Sequence, residues 1–137
     1  AAVIVNSSDA KGRRREISVV TAVIVIAAVF FAGMGLYALV APGRLVGPFD
    51  VTLGSATARS EVRAVYGGFG IAIAAVLTLA LAEPGLRAGI VATVAAALAG
   101  MAFGRLVSAA DGRTRFYPNW FYFVVETVAA GALFAVA

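Results

Sequence analysis

The chain of 137 residues is 62% hydrophobic and 13% charged, with a formal net charge of +4 and neither cysteine nor histidine. A water-soluble domain carries about 25% charged residues, so this composition excludes an ordinary soluble globule. Without Cys or His there are no disulfides, thiolate nucleophiles, zinc or iron–sulfur ligand sets, His-ligated haem or imidazole acid–base chemistry.

Crossing a hydrocarbon core takes about 20 apolar residues in a helix. In chain order, residues 1–16 read as a polar, basic tail with Lys11, Arg13, Arg14 and Arg15, ahead of a membrane domain at 17–137. The first span covers about 17–40 and is uncharged throughout. That run is too long for a signal-peptide core, and its small-residue exit at Ala41 is followed directly by Pro42. A connection rich in Pro and Gly leads to a second span at about 60–82, with Ser60 as expected N-cap and Glu61 in the first turn. Glu83-Pro84-Gly85 reads as a tight turn into a third span at about 88–110, interrupted by Arg105. Asp111-Gly112 opens the last connection, and Pro118 introduces a fourth span at about 119–137 containing Glu126. Segments of this length exclude a barrel, whose strands take about 10 residues each. The expected fold is therefore all-α: an integral membrane four-helix bundle of up-and-down topology.

Such a topology places the end of span one, the start of span two, the end of span three and the start of span four on one membrane face. Tyr37, Tyr66, Tyr117, Trp120 and Tyr122 all fall there, whereas the Glu83–Arg87 face has no aromatic residue. An interfacial belt accounts for such rings, although belts normally occupy both faces. The intramembrane charges follow the aromatics. Arg63 lies near the entry of span two, Arg105 inside the exit of span three, and Glu126 roughly 12 Å beyond Pro118 along span four. Charges at that depth require partners, so Glu126 is expected to face one or both arginines. Arg63, Tyr66, Arg105, Tyr122 and Glu126 thus form a candidate charge cluster or ligand site. The structural reading is an ion pair locking helices together; the alternative for the two arginines is contact with lipid phosphate.

Small residues recur every fourth position at Ala88, Ala92, Ala96, Gly100, Gly104 and Ser108 in span three. Gly70, Ala74, Thr78 and Ala82 repeat the pattern in span two after Gly67 and Gly68. Such stripes let helix backbones approach closely, so Gly67, Gly68, Gly70, Gly100 and Gly104 are expected packing positions, within the chain or towards a partner. Gly67-Gly68-Phe69-Gly70 lacks the spacing and preceding strand of a dinucleotide loop. Asp50, Ser55, Glu61 and Asp111 lie in or beside loops without a positioning partner, so no catalytic residue, metal site or cofactor is expected.

The run Leu36-Tyr37-Ala38-Leu39-Val40-Ala41-Pro42, the segment Glu61-Val62-Arg63-Ala64-Val65-Tyr66-Gly67-Gly68, and Gly104-Arg105 followed by Asp111-Gly112 carry a family resemblance. Together they resemble the small bacterial four-helix membrane proteins of domain-of-unknown-function family 4345, from about Ile17 onward. Arg–x–x–Tyr–Gly–Gly is the most specific element. The resemblance implies a four-span fold and no activity.

Three functions compete. The first is a non-catalytic accessory or structural subunit packing within a larger membrane assembly, with lipid and other membrane subunits as partners and no nucleic acid. The second is a binder or carrier of a lipophilic or anionic small molecule in an intrabundle cavity. A membrane enzyme comes last, for want of a nucleophile, base or metal set. The basic residues before span one favour a bacterial inner-membrane protein with both termini cytoplasmic, against a comparable count of arginines on the opposite side.

Overall fold

The computed structural model describes residues 6–137. It is all-helical among the described residues, and four of its helices are long and apolar enough to cross a membrane. The first span is α1, Ser7–Val40. It starts ten residues ahead of the predicted position 17, so the basic stretch from Ser7 onward is helix rather than an irregular tail; residues 1–5 of that predicted tail lie outside the described residues. The 34 residues of α1 make a rod of about 51 Å, well beyond a hydrocarbon core of about 30 Å. Its charged first turns therefore project past the membrane.

A short helix α2, Pro42–Val46, and a tight turn, Gly47–Phe49, follow. The second span begins with α3, Ala56–Val62, capped by Ser55, whose Oγ accepts the Ala58 N–H at 3.0 Å. This cap replaces the expected one at Ser60. Gly54 precedes it, and the extended backbone of Ser55 (φ −140°, ψ 162°) is the conformation an N-cap needs. Arg63–Gly68 then winds with wider i→i+5 hydrogen bonding before α4, Phe69–Ala82. The Gly67-Gly68 pair sits at the end of this widened stretch, where missing side chains let a helix deform.

The turn after α4 is as tight as the sequence suggests, since α5, Pro84–Ser108, begins two residues after α4 ends. Arg87 closes it by donating from Nε to the Ala80 carbonyl at 3.0 Å and from Nη2 to the Leu81 carbonyl at 3.4 Å. A cation over the open carbonyls of a helix C-terminus satisfies groups that lipid cannot. The fourth span starts with a kinked turn, Phe116–Trp120, in which Tyr117 is extended, and continues as α6, Phe121–Val136.

Successive spans pack side by side: α1 on α4, α4 on α5 and α5 on α6, with α1 and α6 touching only lightly. One core cluster joins Ile24 and Phe31 of α1, Leu77 of α4, Val91 and Leu98 of α5, and Leu133 of α6. The outer surface of the spans is apolar as well: Ile26 is 70% and Phe103 66% exposed. In water such a surface would drive aggregation, whereas acyl chains solvate it at no cost. Hydroxyls on that surface bond back to their own helices, Thr93 to the Gly89 carbonyl and Thr127 to the Phe123 carbonyl, both at 2.7 Å. A hydroxyl satisfied by its own helix needs no water in lipid.

Candidate functional site

Glu126 occupies the second turn of α6 and is 4% exposed. Arg105, in the last turn of α5, meets it side-on: Nε donates to Oε2 and Nη2 to Oε1, both at 2.8 Å. Both carboxylate oxygens are thus engaged by one planar fork, the strong geometry for this pair. Two formal charges cancel within a single contact, as a low-dielectric setting demands.

The guanidinium also lies among rings. Its Cζ is 5.5 Å from the Tyr122 ring centroid and 5.8 Å from that of Phe49, and the two rings are 5.7 Å apart. Arg105 therefore carries cation–π contacts in addition to its ion pair. Phe49 arrives from the first connection, where the Gly47–Phe49 turn ends at Asp50 with a left-handed backbone (φ 59°). Asp50 Oδ2 accepts from Arg115 Nη2 at 2.9 Å, tying the first connection to the third. Further rings continue along the same end, Tyr117 against Tyr122 at 6.3 Å and Trp120 against Phe123 at 5.6 Å.

Arg63 does not join Glu126. Its Nε donates to the Leu39 carbonyl at 3.0 Å, bridging the second span to the end of α1. The physical reasons are local. Arg105 already takes both oxygens of Glu126, and Arg63 opens the widened segment against α1. The expected cluster of one acid and two arginines is thus one closed pair plus one helix-end contact. Tyr66 lies on the widened segment and is 39% exposed, whereas Tyr122 packs directly on Arg105.

The family described as Domain of unknown function (DUF4345) matches residues 19–137. The chain belongs to the DUF4345 family. Among curated proteins and among solved structures, none matches it. The DUF4345 stretch contains the whole Arg105–Glu126 pair, its aromatic surround and the Arg63–Leu39 contact; it leaves out the charged first turns of α1.

Within the DUF4345 stretch the predicted packing glycines divide into two groups. Gly67 and Gly70 are buried against α1. A Cβ on Gly70 would stand 3.0 Å from the Gly35 Cα and the Phe31 carbonyl oxygen, and one on Gly67 would press on Leu39 at 2.7 Å. Gly35, outside both four-residue repeats, completes this seam: a Cβ there would come within 2.8 Å of the Gly67 carbonyl oxygen and the Ile71 nitrogen. Gly68 faces away from α1 and packs on no other helix. Gly100 and Gly104 are exposed, and a Cβ on either would meet nothing within 4 Å. The span-three stripe therefore points outward, while the span-two glycines build the interior.

The Asp50–Arg115 tie and the placement of Phe49 over Arg105 are not legible in the sequence pattern. A turn signal, Gly47-Pro48, precedes Phe49. Nothing in the one-dimensional pattern aims that turn at the third connection.

Proposed function

We propose that this chain is a non-catalytic membrane-spanning subunit that packs against another membrane protein through the outward small-residue stripe of α5. The observation carrying this reading is that Gly100 and Gly104 stand four residues apart on exposed helix, with open space where a Cβ would be. Glycine inside a helix costs about 1 kcal/mol relative to alanine, and within this chain no close contact offsets it. Ala96 and Ser108 extend the flat strip on either side, and Ser108 bonds back to the Gly104 carbonyl at 3.1 Å, leaving no polar projection. Small residues at this spacing allow a second helix to cross at van der Waals distance.

The Arg105–Glu126 pair fits the same reading as an internal lock. A carrier would need a carboxylate free to meet its guest, and both oxygens of Glu126 are engaged by Arg105. The basic first turns of α1 support an inner-membrane location with both termini cytoplasmic, in contact with lipid and subunits rather than nucleic acid.

The test is purification in mild detergent followed by native mass spectrometry, comparing wild type with Gly100→Leu/Gly104→Leu. Wild type should carry a defined second subunit, and the double variant should lose it while keeping its helicity and thermal midpoint. A partner retained by the double variant, or none with wild type, would overturn the proposal.

A further inference from the structure

The charged turns that α1 extends beyond the membrane are sorted by helix face. Lys11, Arg14 and Arg15 stand at i, i+3 and i+4, so they share one face; Asp9, Arg13 and Glu16, at i, i+4 and i+7, share another. The first face carries three positive charges, whereas the second carries two carboxylates and one guanidinium. Asp9, Arg13 and Glu16, with Arg15 beside them, line an open cleft toward Ala135, Val136 and Ala137 of the fourth span. Lys11 and Arg14 point away from that cleft. All three residues of the basic face are exposed, and among the described residues no carboxylate forms an ion pair with any of them. Among the described residues nothing covers Lys11 or Arg14.

Its height above the membrane follows from the helix rise. With the apolar run starting at Ile17, Arg15 lies about 3 Å, Arg14 about 4.5 Å and Lys11 about 9 Å above the hydrocarbon edge. The headgroup layer occupies roughly 5–7 Å on each side of a bilayer, and long basic side chains reach several Å along the helix axis. All three cations therefore reach phosphate depth in the leaflet their own helix enters. These turns precede residue 19, where the family match begins.

We propose that Lys11, Arg14 and Arg15 form a collar that binds the headgroups of anionic phospholipids in that leaflet. Lys11 and Arg14 stand outside the cleft that Asp9 and Glu16 line, Arg15 stands at its edge, and among the described residues no carboxylate forms an ion pair with any of the three. Each basic residue near an anionic surface favours binding by about fivefold, so three set an upper limit on the order of a hundredfold. The collar acts at the opposite end of the bundle from Arg105 and does not depend on packing through α5.

The full chain would be reconstituted in vesicles of phosphatidylcholine with one fifth phosphatidylglycerol, and the lipids retained around it measured by native mass spectrometry. Wild type should hold phosphatidylglycerol several-fold above its bulk share, an excess that shrinks in 0.5 M salt as screening shortens the range of the charges. Lys11→Gln/Arg14→Gln/Arg15→Gln should return the ratio to bulk. Arg44→Gln/Arg59→Gln/Arg113→Gln, at the other end of the bundle, should leave the excess in place. Lys11→Gln alone, in the outermost charged turn, should lower it up to fivefold without touching the bundle, which keeps the test decisive if the triple variant folds poorly. An excess unchanged by both collar variants, or one removed by the control triple, would overturn the proposal.

Discussion

Removing either member of the Arg105–Glu126 pair should destabilise the bundle far more than removing both. Glu126→Leu leaves the guanidinium beside Tyr122 and Phe49 without its counter-charge, and Arg105→Met leaves a carboxylate whose side chain is 5% exposed. Breaking a buried pair from one side costs about 3–5 kcal/mol. Arg105→Met belongs at the upper end of that range, because Glu126 has nowhere to go. Glu126→Leu belongs at the lower end, because Arg105 keeps 20% exposure in the last turn of α5 and can extend toward the headgroups. Simple addition would put the double variant on the order of 6–10 kcal/mol below wild type. Two apolar side chains of similar volume facing each other should instead lie within about 2 kcal/mol of it, because no buried charge is left over. The assay is unfolding in mixed micelles followed by far-ultraviolet circular dichroism for all four corners of the cycle. A double variant that loses the sum of the single losses would refute the reasoning, as would single losses below about 1 kcal/mol, the size expected of an exposed pair.

The other expected effects are smaller or sharply local. Gly35→Val should cost about 1–3 kcal/mol in the same unfolding assay, because its Cβ would meet backbone atoms of Gly67 and Ile71 that cannot give way. Gly33→Val, with open space around it, should be near neutral; equal losses would mean that the α1–α4 seam is not the close contact described. Ser55→Ala should lower stability by about 1 kcal/mol through loss of the α3 cap, and a loss matched by Ser60→Ala instead would relocate the start of that helix. Asp50→Asn should change stability by under about 0.5 kcal/mol, since both side chains of its pair with Arg115 are more than 70% exposed. A larger loss would show that the tie between the two connections holds the bundle together.

Sequence pattern carried the architecture because lipid imposes strong constraints on it. Four long apolar runs separated by Pro and Gly specify four helical crossings, and Glu83-Pro84-Gly85 makes two of the spans neighbours. The pairing of Glu126 with an arginine was legible for the same reason, since an intramembrane acid at that depth needs a cation at the same depth. Which arginine it takes was not legible. Arg63 and Arg105 lie in the same half of the membrane, and the choice depends on how the widened segment turns Arg63 toward Leu39. Helix starts were also missed where charge obscured them: α1 runs through Lys11–Arg15 because nothing there forbids helix, although hydropathy stops at Ile17. The outward direction of Gly100 and Gly104 could not be read from spacing, because a four-residue repeat gives a stripe without saying which way it faces.

The central claim is that four crossings gather the charged and aromatic residues at one end of the bundle and the basic first turns of α1 at the other. Because the chain has no cysteine, single introduced cysteines can report it directly. Ser8→Cys and Gly85→Cys should react with a membrane-impermeant maleimide from one side of sealed vesicles, and Gly54→Cys and Gly112→Cys from the other. Labelling of Gly54→Cys from the same side as Ser8→Cys would contradict the account.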